Sequence, residues 1–276
     1  METILRYFET IPPLYRGLII VGGLTFFWII EGIVPLFGVN YKKWKHAVPN
    51  IFFTLTTILV NLPLAFLFLR SSDWVVANNF GVLNWLPEMP IWLYGILGVF
   101  LIDFIGAYLP HLIEHKVKPL WMVHLVHNSD HHVDTTTANR HHPLESLIRY
   151  VFTLLGIFII GTPIALVFLY QSLSVVATQF NHANIKLPKK IDNLLSYIIV
   201  SPDMHKVHHH YKIPYTDSNY GNIFSVWDRL FGTYMVLDTD KIVYGVDVFP
   251  NGEENSNIKH LLKQPFQKYK KATVVD

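Results

Sequence analysis

The side chains best suited to chemistry in this 276-residue sequence are its 15 histidines, 13 of which fall between positions 111 and 210, where uniform scatter would place about five. Their spacing says more than their number. His111 and His115 stand four apart, His124 and His127 three apart, and His208 and His209 three and four residues after His205, so on a helix each set projects from one face. Ser201, Pro202 and Asp203 precede the last set as N-cap, first helical residue and first-turn acid, which starts a helix about one turn before the cluster. The positive end of that helix dipole disfavours imidazolium and keeps these rings neutral, the state in which histidine ligates a metal. Clustered imidazoles repel one another when protonated and need partners when neutral; a metal is such a partner.

Counting gives the number of ions. A catalytic zinc takes about three protein ligands, and seven spaced histidines, with His142 and His182 as single additions, exceed what one ion uses. Two ions are predicted. The chain has no cysteine, which removes thiolate zinc sites, iron–sulfur clusters, disulfides and cysteine nucleophiles together. Nitrogen-rich ligation suits Fe, Zn, Cu or Ni without choosing among them. His46, His210 and His260 read as ordinary surface or core residues, and His131, His132 and His141 as neighbours of the ligands or parts of a lid.

The elements that must position these residues belong to a membrane. Hydrophobic residues make up 51% of the chain and charged residues 15%, mean hydropathy is +0.31, and several apolar runs approach the ~20 residues that cross a bilayer. A free cytosolic globule, a disordered chain and a small secreted scaffold are excluded. A net charge of +2 and a pI near 8.6 are too mild for a nucleic-acid partner.

The first run, Gly17 to Val39, broken only by Glu31, reads as a retained anchor rather than a cleaved signal peptide. A basic loop with Lys42, Lys43 and Lys45 follows. The second run is Val48 to Leu69, and the loop after Arg70 carries Trp74, Trp85 and Trp92 as an interfacial belt. The third run, Pro90 to Leu109, leads into the first histidines. The fourth, Val151 to Phe180, has Gly161-Thr162-Pro163 in its middle, where glycine freedom and the missing proline amide favour a break. If both histidine regions build one site, this run is a hairpin that returns to its side of entry. Lys116, Lys118, Arg140 and Arg149 join the basic loop on one side, so the histidines and the C terminus are expected in the cytoplasm. The expected fold is all-α: a polytopic membrane helical bundle with a cytoplasmic histidine-rich helical cap holding a di-metal site. One domain spans 1–276, with a polar, basic tail at 251–276 that lies on the membrane surface or frays.

The stretches His111-Leu-Ile-Glu-His115, His124-Leu-Val-His127-Asn128-Ser-Asp130, Thr135-Thr-Thr-Ala-Asn-Arg-His-His142-Pro-Leu-Glu145 and His205-Lys-Val-His208-His209, with Asn219-Tyr-Gly-Asn-Ile-Phe-Ser-Val-Trp-Asp228-Arg-Leu-Phe-Gly-Thr-Tyr234, resemble the fatty acid hydroxylase/sterol desaturase superfamily over residues 95–235. The resemblance implies an integral-membrane di-iron oxygenase that hydroxylates or desaturates a lipid with O2. It makes His111 and His115 the first ligand pair, His124 and His127 the second cluster, His182 the isolated ligand after the hairpin, and His205, His208 and His209 the last cluster. Asn128 stands where the family has histidine; its amide oxygen can bind a metal directly or through water, and His132 is the alternative substitute.

Abstracting hydrogen from an unactivated C–H bond needs an oxidant that side chains cannot supply. The two electrons must come from outside, because no glycine-rich flavin or nicotinamide fingerprint follows a strand; a separate reductase, ferredoxin or cytochrome is implied. Asp103, a carboxylate inside an apolar run, is a functional candidate by position, and eight residues before His111 it could orient a ligand ring. Glu114, Asp130 and Asp228, with Arg140 and Glu145, are further candidates for supporting the ligands.

Two rival readings remain. His111-Leu-Ile-Glu114-His115 fits the H-x-x-E-H helix of a single-zinc intramembrane peptidase with Glu114 as general base, which leaves the later clusters without a role. A metal transporter would place its site near the bilayer midplane on broken helices, whereas these clusters follow the third run and the hairpin.

Overall fold

The computed structural model describes residues 1–268. Among them the elements are helices, in the order α1 (Glu2–Glu9), α2 (Pro13–Ile33), α3 (Lys43–Ala77), α4 (Val82–Trp85), α5 (Ile91–Asp103), α6 (Leu109–Lys116), α7 (Lys118–Asn128), α8 (Pro143–Ile160), α9 (Ile164–His182), α10 (Lys189–Leu195), α11 (Pro202–His208), α12 (Val226–Leu230) and α13 (Ile258–Lys263). Five stretches are long and apolar enough to cross a membrane: Pro13–Ile33, Lys43–Trp85, Ile91–Lys116, Pro143–Ile160 and Ile164–His182. Their outward faces are apolar, as Leu18, Val21, Phe26 and Ile29 on α2 and Leu59, Leu62 and Phe66 on α3 illustrate, a surface that a bilayer covers. The chain is an integral membrane protein.

Several apolar runs are longer or shifted as helices. α2 starts at Pro13, which needs no amide partner in the first turn, and stops before Pro35. α3 takes in Lys43 and Lys45, which were expected in a loop, and Trp74 beyond Arg70, with Pro49 and Pro63 inside it. Its 35 residues extend ~52 Å, well past a ~30 Å hydrocarbon layer. The surplus carries His46 and Asn50 into the polar end of the molecule, where they bond Asp130 and Thr136. The third run continues from α5 through a π-turn at Phe104–Tyr108 into α6, so His111 and His115 belong to the spanning helix itself.

The break at Gly161-Thr162-Pro163 is present. Gly161 caps α8 at φ 81, a left-handed conformation that favours glycine, and the space for a Cβ is taken by the Phe80 carbonyl and the Asn84 amide. Each hairpin arm, 18 and 19 residues, is ~27–28 Å long. Both arms return to the same end: Glu145 in the first turn of α8 bonds His124, and His182 at the end of α9 meets His127. Glu31 closes the same end of α2, accepting hydrogen bonds from the amides of Thr135 and Asn184 and pairing with Lys43. All five apolar stretches therefore present one end to the histidines.

The stretch 251–268 does not fray. Leu261 is buried beside Phe53 and Val126, and the Asn255 carbonyl accepts from Arg140, whose buried guanidinium also donates to the Val126 carbonyl, Asn50 and Ser129. A buried arginine needs these acceptors, and one comes from the tail. Residues 269–276 of the expected tail lie outside the described residues.

Candidate metal centre

Four segments supply the imidazoles. α6 contributes His111 and His115, α7 contributes His124 and His127, α9 ends in His182, and α11 with its C-cap contributes His205, His208 and His209. The N-cap expected at Ser201 is formed, its Oγ accepting from the Met204 amide at 3.4 Å. All eight rings are buried and form two groups: His111, His115, His124 and His208 in one, His127, His182, His205 and His209 in the other, with one nitrogen per ring in each group within 4.8 Å of the others. α7 and α11 each serve both.

In the first group the Nε2 of His111 lies 3.2 Å from the Nε2 atoms of His124 and His208. In the second, the Nε2 of His182 lies 3.1 Å from those of His127 and His205 and 3.2 Å from that of His209. The opposite nitrogens decide what these contacts are. His111 Nδ1 is 2.8 Å from the Tyr220 carbonyl, His208 Nδ1 2.8 Å from the Ser218 carbonyl, and His182 Nδ1 2.8 Å from the Thr178 carbonyl. His124 Nδ1 is 2.8 Å from Glu145, and His115 Nδ1 3.1 Å from Asp217. Each of these Nδ1 atoms faces an acceptor and so carries the proton, which leaves Nε2 as a lone pair. In the first group lone pairs therefore face lone pairs, which are not hydrogen bonds; in the second, His182 has its lone pair fixed in this way, while the Nδ1 atoms of His127, His205 and His209 are buried without a partner. Metal–nitrogen bonds of about 2.0–2.1 Å at tetrahedral or octahedral angles place neighbouring ligand nitrogens about 3 to 3.4 Å apart, and the observed spacings fit. His115 Nε2 is buried without a partner, a further donor atom that an ion would satisfy.

Electrostatics favours the ligating state. Burial first, then the neighbouring imidazoles, hold His124, His127, His205 and His209 well below the ordinary histidine range; for His208 the Ser218 carbonyl opposes this only partly. Burial raises Asp217, but its bonds to His115 and Lys116 outweigh that and bring it down to about 2. It is therefore a permanent carboxylate behind His115. Behind His124, Arg149 bridges two buried carboxylates, donating to Glu145 at 2.9 Å and Glu114 at 3.0 Å. Such partners orient ligand rings and raise their basicity.

The other expected residues fall around this centre. Asn128 places its Nδ2 3.4 Å from His208 Nε2 and leaves Oδ1 buried without a partner, so its amide borders the first group. His132 does not replace it and stacks on Tyr41 instead. His142 is brought to neither group: its Nδ1 caps α8 by accepting from the Leu144 amide, and its Nε2 faces the Leu262 carbonyl. Glu114 reaches to 3.6 Å from His124 Nδ1.

Asp103 bonds none of the eight converging histidines. Its carboxylate accepts from the Ile223 and Phe224 amides and the Trp227 indole, each at 3.3 Å, and so ties α5 to α12 and the residues just before it. Asp228 accepts from the Tyr220 and Gly221 amides, fixing the peptide whose carbonyl holds His111; burial pushes its pKa up to about 6 against these bonds. Asp130 pairs with His46 and accepts from Thr137. Asp217 and Asn181, the latter 2.7 Å from His182 Nδ1, escaped the sequence reading. Asn181 had adjacency as a signal, whereas Asp217 lies 102 positions from His115 and had none.

A cavity of about 410 Å³ runs between α2, α3 and α9 to the histidines, with His111, His127, His182 and His205 in its wall beside Ile58, Leu62 and Phe68.

The chain is 28% identical over 260 residues to the alkylglycerol monooxygenase of Homo sapiens, which covers 89% of this chain and 52% of that protein. It is 23% identical over 150 residues to the ornithine lipid hydroxylase of Rhizobium tropici, covering 54% of this chain and 44% of that one. A 32% match over 180 residues to the alkylglycerol monooxygenase of Xenopus tropicalis covers 61% and 36%. The chain thus spans about half the length or less of these relatives. No solved structure matches. The model of the fatty acid hydroxylase family matches residues 95–233, the half of the chain that carries all eight converging histidines, and the chain belongs to that family.

Proposed function

We propose that the chain is a membrane di-iron oxygenase that inserts one oxygen atom of O2 into an unactivated C–H bond of a lipid. The observation that carries this reading is the pair of buried four-histidine groups whose ring nitrogens converge beside a largely apolar cavity. His111, His115, His124 and His208 would hold one ion and His127, His182, His205 and His209 the other, with Asn128 at the edge of the first. Relatives named as a monooxygenase of alkylglycerols and a hydroxylase of ornithine lipid support lipid chemistry. Two bound irons would supply the oxidant that amino-acid side chains lack.

The overall change is R–H + O2 + two electrons + two protons → R–OH + H2O. The electrons come from a separate donor protein, a reductase, ferredoxin or cytochrome. The chain's own residues position and exclude. Glu145, Asp217 and the Tyr220, Ser218 and Thr178 carbonyls hold the Nδ1 protons and aim Nε2 inward. Ile58, Leu62 and Phe68 form an apolar wall that seats an alkyl segment and keeps bulk water from the reacting carbon. Lys43 pairs with Glu31 and Lys116 with Asp217 beside His115, and with Lys42, Lys45, Lys118, Arg140 and Arg149 they support, by the positive-inside rule, a cytoplasmic placement of the histidines and the C terminus. The chain acts as one domain over 1–276.

The peptidase reading is disfavoured because Glu114 is held by Arg149 instead of standing free as a base. Metal analysis of the purified protein and lipid mass spectrometry of cells with and without the gene test the proposal together. Two irons per chain and a lipid heavier by one oxygen, or lighter by two hydrogens for desaturation, are expected. One zinc per chain with peptide cleavage, or loosely exchanging ions with unchanged lipids, would overturn it.

A further inference from the structure

The cavity that reaches the histidines is not apolar along its whole length. Arg16, in the first turns of α2, lines it at the end away from them, and Gln171 and Asn61 add polar groups to its wall. The Arg16 guanidinium lies over the Phe168 ring, 4.1 Å from its centre, and its Nε is buried with no hydrogen-bond partner. No ion pair of Arg16 is present among the described residues. An arginine near a helix end ordinarily snorkels its nitrogens to the headgroups. Arg16 instead turns toward a cavity, and an unpaired cation within a membrane-spanning segment marks a ligand path by default.

Phe168 sits in the second turn of α9, whose last residue is His182. The separation of 14 positions places the guanidinium ~21 Å from the histidine centre along the helix. A bilayer's hydrocarbon layer is ~30 Å thick, so a molecule held at Arg16 reaches the metals only with a long chain.

We propose that Arg16 anchors the headgroup of the substrate: the cavity takes a long-chain amphiphile whose anionic end, a carboxylate or phosphate, forms the ion pair Arg16 lacks, while its alkyl chain runs to the histidines. The proposal rests on the oxygenase reading for the fate of that chain. It also sets the regiochemistry, because the carbon beside the histidines lies in the part of the chain distant from the charged end. Arg16 is the specificity-determining residue of this arrangement, and its fork of donors suits either oxyanion.

The test uses the full chain in nanodiscs of phosphatidylcholine, with binding measured for hexadecanoate, hexadecyl phosphate, hexadecanol and inorganic phosphate. Wild type is expected to bind both anionic amphiphiles about tenfold or more tightly than the alcohol. Arg16→Gln should abolish that preference with metal content unchanged, and Arg16→Lys should retain most of it. Inorganic phosphate should not compete. An equal preference in Arg16→Gln, none in wild type, or effective competition by inorganic phosphate would overturn the proposal, the last by showing a free-anion site. Anion preference without any oxidation of the bound chain would support the anchor and sink the oxygenase reading. Oxidation with an unaltered preference in Arg16→Gln would sink the anchor alone.

Discussion

His124 and His127 lie one helical turn apart on α7 and join different groups: His124 Nε2 is 3.2 Å from that of His111, and His127 Nε2 is 3.1 Å from that of His182. α11 repeats the pattern, with His208 in the first group and His205 and His209 in the second. Two short helices therefore each contribute to both groups and set the relation between them.

This sharing makes single ligand losses informative. His182 is the hub of the second group, with three Nε2 neighbours within 3.2 Å, while the first group does not use it. His182→Ala is expected to lower bound metal from two ions per chain to one, measured by plasma emission against protein concentration, and to abolish lipid oxidation. Two ions retained would remove His182 from the ligand set. His208→Ala should empty the first site in the same assay.

Glu145 acts on the first centre through His124. Glu145→Gln keeps an oxygen for the His124 Nδ1 proton but removes a charge that Arg149 also uses. Loss of a carboxylate behind a ligand histidine typically costs about 10–100-fold in metal affinity. Competition with a chelator should show that loss at one of the two sites. Equal loss at both sites would point to general unfolding.

Asn128 separates direct ligation from mere proximity. Its Oδ1 is buried with no partner and its Nδ2 is 3.4 Å from His208 Nε2. If the amide borders the ion, Asn128→His should hold the first metal at least as tightly as wild type. Weaker retention in the chelator assay would show that the position does not ligate.

Much of this centre was legible because helical periodicity is local: spacings of three and four put His111 with His115 and His205 with His209, and Ser201-Pro202-Asp203 announced the helix that carries the last set. The same periodicity could not say that His124 and His127 divide between two groups, since that depends on which helices face α7. Nor could it find Asp217, which meets His115 across 102 positions, or show that Asp103 serves the backbone of 223–224 and the Trp227 indole instead of a histidine ring. His142 looked like its neighbours in composition, yet the proline after it made it a helix cap. The length of α3 was hidden because lysines end an apolar run without ending a helix.

Gly161 tests the hairpin. Its φ of 81 and the adjoining Phe80 carbonyl make Gly161→Ala strained in conformation and crowded in space. A loss of more than about 1 kcal/mol in stability is expected, read as a lower unfolding midpoint in detergent. Because the turn lies at the end opposite the histidines, folded protein should still carry two metal ions. An unchanged midpoint would mean that the turn relaxes freely.

Glu31 ties the first spanning helix to the metal end. Its carboxylate accepts from the Thr135 amide at 2.7 Å and the Asn184 amide at 2.8 Å, and it pairs with Lys43 at 2.8 Å. Asn184 is two residues from His182, so the clamp fixes the segment that follows the central histidine of the second group. Glu31→Ala leaves two buried amides and a half-buried ammonium without their acceptor, a kind of change that costs about 3–5 kcal/mol. Glu31→Gln keeps an oxygen for the amides while losing the charge, and should cost less. The expected order of unfolding midpoints is wild type, then glutamine, then alanine, with the second metal lost before the first in the alanine variant. Equal midpoints for the three proteins, or loss of the first metal ahead of the second, would show that α2 is not secured to the centre through this carboxylate.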